Sequence, residues 1–177
     1  MIILEPRNMH WICGAVDDEK DLCAHGNIQF EVNGKTLVEE NDREFTVSGA
    51  AIFLLRTLEA DYIKEEMEFN QIFPCCAHTM YVIEQSENVI IDGCSNGIDF
   101  NVLHRRGKII IEFKRKKYRV SQKEWREAVL HFSDMVKAYY DACSPKVVER
   151  EEYEIAGYEA FLAEWDRRVK AARAMDQ

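Results

Sequence analysis

The chain has little of what interrupts regular structure. Among 177 residues there are 8 Gly and 3 Pro, below the average shares of about 7% and 5%. That scarcity excludes collagen-like and low-complexity chains. Long hydrophobic runs are missing too. The longest fully apolar stretch is Ala50–Leu55, far short of the roughly 20 residues a membrane-spanning helix needs. Met1–Leu4 is too short for a signal-peptide core, and Glu5-Pro6 interrupts it, so a cytoplasmic location is expected. There is no internal repeat, Gly-rich phosphate loop or H-E-x-x-H, which removes the simplest nucleotide-binding and metalloprotease readings.

What is present is ample core material. Hydrophobic residues make up 47% of the chain, enough for a single domain over residues 1–177. The cysteines (Cys13, Cys23, Cys75, Cys76, Cys94 and Cys143) are even in number. In the expected reducing compartment they remain thiols rather than a disulfide framework. The net charge of −9 conceals an asymmetry. Residues 1–100 carry 19 acids and 6 bases, whereas residues 101–177 carry 13 acids and 17 bases.

Alternating apolar residues on either side of Asn33-Gly34 predict a hairpin over 28–38. A helix capped by Thr46 or Ser48 is expected to run on to Tyr62, with Ile52, Leu55, Leu58 and Tyr62 on its apolar face. Ala51, Phe53 and Leu54 widen that face, the mark of a central core helix. Residues 69–91 read as irregular strands, followed by the turn signals Asp92-Gly93 and Asn96-Gly97. A second hairpin flanks Arg105–Gly107, and a third strand continues through Tyr118–Val120. Ser121 and Glu124 form a capping box, with Val120 and Trp125 as a hydrophobic staple. Trp125, Val129, Phe132, Val136, Tyr139 and Cys143 make one apolar helical stripe. Ser144-Pro145 ends that helix, and residues 144–148 are a short linker. A last amphipathic helix covers 149–174, packing either on its own core or against a second copy in a homo-oligomer. The expected fold class is therefore α+β: an antiparallel sheet of hairpins against a central helix, with two C-terminal amphipathic helices.

Four features carry candidate chemistry. Cys75, Cys76 and His78, with Cys94 downstream, are soft or borderline donors suited to zinc if the 92–97 turn folds back on Pro74–His78. Their spacing departs from paired C-x₂₋₄-C modules, and buried cysteines acting as small hydrophobes are the plainer reading. The same cluster could support a thiol enzyme. Gly93-Cys94-Ser95-Asn96-Gly97 matches G-x-S-x-G, but Ile98–Leu103 alternates like a strand where a nucleophile elbow requires a helix. A tight turn explains both glycines without chemistry. Residues 105–119 hold eight bases and one acid, a pattern that contacts phosphates in nucleic-acid binders or blocks a sheet edge. Acids cluster at Asp17, Asp18, Glu19 and Asp21, at Glu39, Glu40, Asp42 and Glu44, and at Glu65, Glu66 and Glu68. The plain reading is a solvated surface. The functional one is a docking face for a basic protein partner, with the first two clusters as its residues.

The strings Ser48–Glu59 (SGAAIFLLRTLE), Pro74–His78 (PCCAH) and Gly93–Phe100 (GCSNGIDF) resemble a group of small cytosolic bacterial proteins of uncharacterised activity. The resemblance covers about residues 45–104. Such groups include immunity proteins, which neutralise a toxin from the same cell. It implies a bacterial cytosolic origin and an immunity-like role, and it carries over no catalytic residue. The expected function is thus a non-enzymatic interaction protein binding a basic partner. A metal- or thiol-dependent enzyme at the cysteine cluster and nucleic-acid binding through 105–119 are the alternatives.

Overall fold

Regular structure starts at the second residue, earlier than the sequence predicts. The computed structural model describes residues 1–39, 43–66, 71–84, 86–148 and 151–175, the side chains of Cys13 and His78 excepted. Strand β1 (Ile2–His10) pairs antiparallel with β2 (His25–Val32), Ile2 opposite Val32 and Pro6 opposite Ile28. Pro6 was expected to interrupt the N-terminal run. It is tolerated because β1 is an edge strand, where a residue lacking N–H leaves no ladder bond unmade. Residues Gly26, Ile28, Phe30 and Val32 of β2 alternate inward. The Asn33-Gly34 turn, with φ of 52° and 72°, leads into β3 (Lys35–Val38) as a type I′ hairpin requires. β4 (Phe45–Thr46) pairs with the start of β2 and completes this sheet.

Helix α1 (Val47–Arg56) follows directly, and Val47 to Leu55 are all buried. It is the expected core helix but ends six residues early. Tyr62 is instead taken into a β-bridge with Val102, each donating its N–H to the other's carbonyl. Thr46 occupies the N-cap position without a side-chain capping bond. β5 (Ala77–Tyr81) and β6 (Ile90–Gly93) form a second, two-stranded sheet. β7 (Asn101–Arg105), β8 (Lys108–Phe113) and β9 (Lys116–Ser121) form a third, an antiparallel meander. Among the described residues the architecture is α+β, its strands arranged in three antiparallel sheets.

Helix α2 (Gln122–Asp141) begins at the predicted capping box: the Ser121 hydroxyl accepts the Glu124 N–H, and the Glu124 carboxylate accepts the Ser121 N–H. Helix α3 (Glu152–Ala174) lies on its own chain, with Tyr158, Phe161 and Trp165 buried. It approaches β5 so closely that a Cβ on Gly157 would stand 2.1 Å from the Met80 carbonyl oxygen. Phe30, Phe73, Phe100 and Trp125 meet in the core, with neighbouring ring centroids 5.3–6.2 Å apart. All three buried indoles are satisfied: Trp125 donates to Thr57 Oγ1, Trp165 to Ser133 Oγ and Trp11 to Cys143 Sγ.

One buried polar network ties α3 to the core. Glu164, fully buried, accepts two bonds from Arg56 (2.8 and 2.9 Å), one from Arg168 (2.7 Å) and one from the Val89 N–H (2.7 Å). Arg168 reaches on to Glu59 and Asn88. Burial raises the Glu164 pKa, but the two guanidiniums and the amide outweigh it and hold the carboxyl below its usual value. Among the described residues, no helix is long and apolar enough to cross a membrane.

Candidate functional site

The acidic segment 11–24 joins β1 to β2 and is held by its own aspartates. Asp21 accepts the N–H groups of Ile12 and Cys23. Asp18 accepts those of Lys20 and Asp21, an Asx-type turn. The strap 144–148, expected to be a plain linker, is fastened over this loop. Ser144 donates its N–H to Asp17, Val147 donates its N–H to the Glu19 carbonyl, and Lys146 donates to the Asp18 carbonyl. The Lys146 ammonium also sits 3.1 Å from the centroid of the Trp11 ring, a cation–π contact. Trp11 is itself buried between Tyr139 and Tyr140, each 5.0 Å away. Hydrogen bonds from Ser144 pull the Asp17 pKa down, and desolvation pulls the Lys146 pKa down.

Around these fixed acids the loop leaves apolar side chains in solvent. Val16 is 90% exposed, Ile12 56% and Val147 42%. Glu19 and Asp17 are exposed beside them. A β-bulge, with Asn8 at φ 51°, re-aims the end of β1 and sets His10 opposite His25. Their ring centroids are 6.0 Å apart. His25 lies 3.8 Å from Asp21 and His10 lies 3.7 Å from Glu44. The row Asp21–His25–His10–Glu44 thereby joins the first two acidic clusters. Glu39 is exposed at the end of β3. Glu40, Asp42 and Glu68 lie outside the described residues.

The cysteine cluster also assembles. Ala77 pairs with Gly93, and the Cys94 N–H donates to Cys76 Sγ at 3.1 Å. Cys75 adjoins Cys94 as well. Hydrogen bonds from the Cys76 thiol, the Asn96 N–H and the Cys75 thiol lower the Cys94 pKa, whereas burial raises those of Cys75 and Cys76. The fourth predicted donor, His78, has its side chain outside the described residues. Among the described residues, no group of three or more His, Cys, Asp or Glu is placed to hold a metal ion. The G-x-S-x-G match has a packing cause. A Cβ on Gly93 would lie 2.1 Å from the Cys76 carbonyl oxygen, and one on Gly97 would lie 2.3 Å from that of Phe73. Ser95 is followed by a bridge from Ile98 to Phe73, not by a helix.

The basic segment lies on the β7–β9 meander. Arg105, Lys108, Lys117 and Arg119 line one groove of about 480 Å³ with Leu103 and Ile110. Two of these bases are engaged within the chain, Arg105 with Asp61 and Lys117 with Glu112, each at 2.6 Å. Sequence reasoning missed Ile12, Val16, Val147 and the clamp of Lys146 on Trp11. The available signal was apolar residues isolated in an acid-rich loop. Compared with models of protein families, with curated proteins and with solved structures, the chain matches none.

Proposed function

We propose that this chain is a non-enzymatic, immunity-like interaction protein that docks a basic protein partner on the 12–21 loop and the adjoining Glu44 edge. One observation carries the reading: exposed Ile12 and Val16 on the loop, with exposed Val147 on the strap fastened over it, stand among acids already fixed by the bonds of Asp17, Asp18, Asp21 and Lys146. Apolar anchors inside a charged rim are the anatomy of a protein interface. A loop ordered before contact avoids most of the entropy cost of ordering on binding. The acidic rim attracts a cationic surface and accelerates encounter.

The test starts from the full chain, immobilised at low salt in a lysate of its source organism. A retained protein is identified, purified and titrated back. It should be basic, and Glu19→Lys with Glu44→Lys should slow its association roughly tenfold at low ionic strength, the effect fading with salt. Val16→Ser should speed dissociation instead. Retention of no basic protein, or rates indifferent to both variants, would overturn the reading.

A further inference from the structure

The mouth of the β5–β6 hairpin brings Cys76 and Cys94 into opposition. Ala77 and Gly93 are ladder partners, so the next positions outward, Cys76 and Cys94, face one another across the two strand ends. Opposed residues in an antiparallel ladder have Cα atoms about 4.5–5.5 Å apart, within the separation a disulfide bridges. The register shift of this hairpin falls on the other side of Ala77, between Ala77 and Thr79, and leaves the pair undisturbed. Gly93 lets the strands close here, since any Cβ would collide with the Cys76 carbonyl. The Cys94 amide already touches Cys76 Sγ at 3.1 Å. Gln71 keeps the 94–97 turn against this segment, donating to the Ser95 carbonyl at 3.0 Å and accepting the Gly97 N–H at 2.6 Å. Arg43 donates to the Asn96 carbonyl at 2.6 Å, placing a cation at the same turn.

We propose that Cys94 and Cys76 form a peroxide-oxidised dithiol pair, with Cys94 as the attacking sulfur and Cys76 as the resolving one. Thiol donors from Cys76 and Cys75 and the Asn96 N–H surround the Cys94 sulfur and favour its thiolate, the reactive form. Both residues of the pair are half-buried, open enough for a small oxidant. The Cys94 thiolate attacks one oxygen of hydrogen peroxide. The O–O bond breaks, a sulfenic acid forms and the departing hydroxide takes up a proton as water. The Cys76 sulfur then attacks the Cys94 sulfur. The S–O bond breaks, the S–S bond forms and the Cys76 proton leaves with the hydroxide as a second water. Two thiols are oxidised as one peroxide is reduced. Of the other described cysteines, Cys75 adjoins Cys94 but lies one position outside the opposed pair, Cys23 is buried against the Ala77 carbonyl, and Cys143 receives the Trp11 indole N–H.

The proposal stands apart from the docking role, and its test uses the whole reduced chain with equimolar hydrogen peroxide. Trypsin leaves 65–105 as one piece, because no Lys or Arg lies between Lys64 and Arg105. Cleavage after Glu84 and Glu87 separates the partners for mass mapping. The expected product has lost the mass of two hydrogen atoms and links the Cys76 and Cys94 peptides. Cys75→Ser should retain that link. Cys76→Ser should leave a dimedone-trappable sulfenic acid on Cys94, and Cys94→Ser should abolish linkage in this segment. A link that survives Cys76→Ser and disappears with Cys75→Ser would overturn the assignment of Cys76. Iodoacetamide labelling of native Cys94 no faster than of Cys143, with no linked peptide from the wild-type chain, would overturn the proposal itself.

Discussion

Glu164→Gln should destabilise the fold well beyond an ordinary surface change. The wild-type carboxylate is wholly removed from solvent and accepts four hydrogen bonds from three groups, with Arg56 and Arg168 only 22% and 6% exposed. Glutamine keeps the shape but removes the charge, and its amide turns two donors toward groups that are themselves donors. Removing one member of a buried ion pair leaves the other uncompensated, at a cost of about 3–5 kcal/mol. For a chain of this length that lowers Tm by roughly 6–20 °C, at about 2–4 °C per kcal/mol. The assay is urea unfolding of both proteins from pH 7 to pH 3. Folded Glu164 is held below its usual pKa, so its contribution is fully present above the unfolded value of about 4.3 and is lost as pH falls through the folded value. The gap between wild type and Glu164→Gln should therefore begin to narrow below about pH 4. A loss under about 1 kcal/mol at pH 7, or a gap that does not change with pH, would refute the reasoning.

Two further outcomes can be measured on the same protein. The turn between β8 and β9 places Lys114 and Arg115 at φ 45° and 65°. Arg115→Gly should relieve left-handed strain and stabilise by about 0.5–1 kcal/mol, read as a higher urea midpoint at unchanged slope. The Glu124 carboxyl, held down to about 2 by the Ser121 N–H and hydroxyl and the N-terminal ammonium, should titrate there in carboxyl ¹³C NMR. Ser121→Ala should move that midpoint upward, and a Glu124 midpoint in the ordinary range would contradict the capping geometry.

The legible parts of this protein are those whose determinants lie a few residues apart. Asn33-Gly34 specifies a type I′ turn by itself, because both positions require positive φ and these residues tolerate it. Ser121 and Glu124 satisfy each other's amides three residues apart, so the start of α2 could be read directly. The candidate acids were legible as clusters. Their joining through His25 and His10 was not, because it depends on a bulge in β1. The end of α1 was not legible either, since Tyr62 is claimed by Val102 from forty residues away.

The sequence alone determined the α+β class, the hairpin turns, the capping box and the lopsided charge, all of them local or compositional properties. Only the tertiary structure decided what the charge does. Acids of the first half are matched to bases of the second in the pairs Asp61–Arg105, Glu59–Arg168 and Glu87–Arg167. Asp17 and Asp18 hold the 144–148 strap. These partners are brought together by packing, and the stability of each contact depends on burial and distance, which linear order does not encode. The same holds for Cys76 and Cys94, which are opposed because β5 and β6 pair in one register and not another.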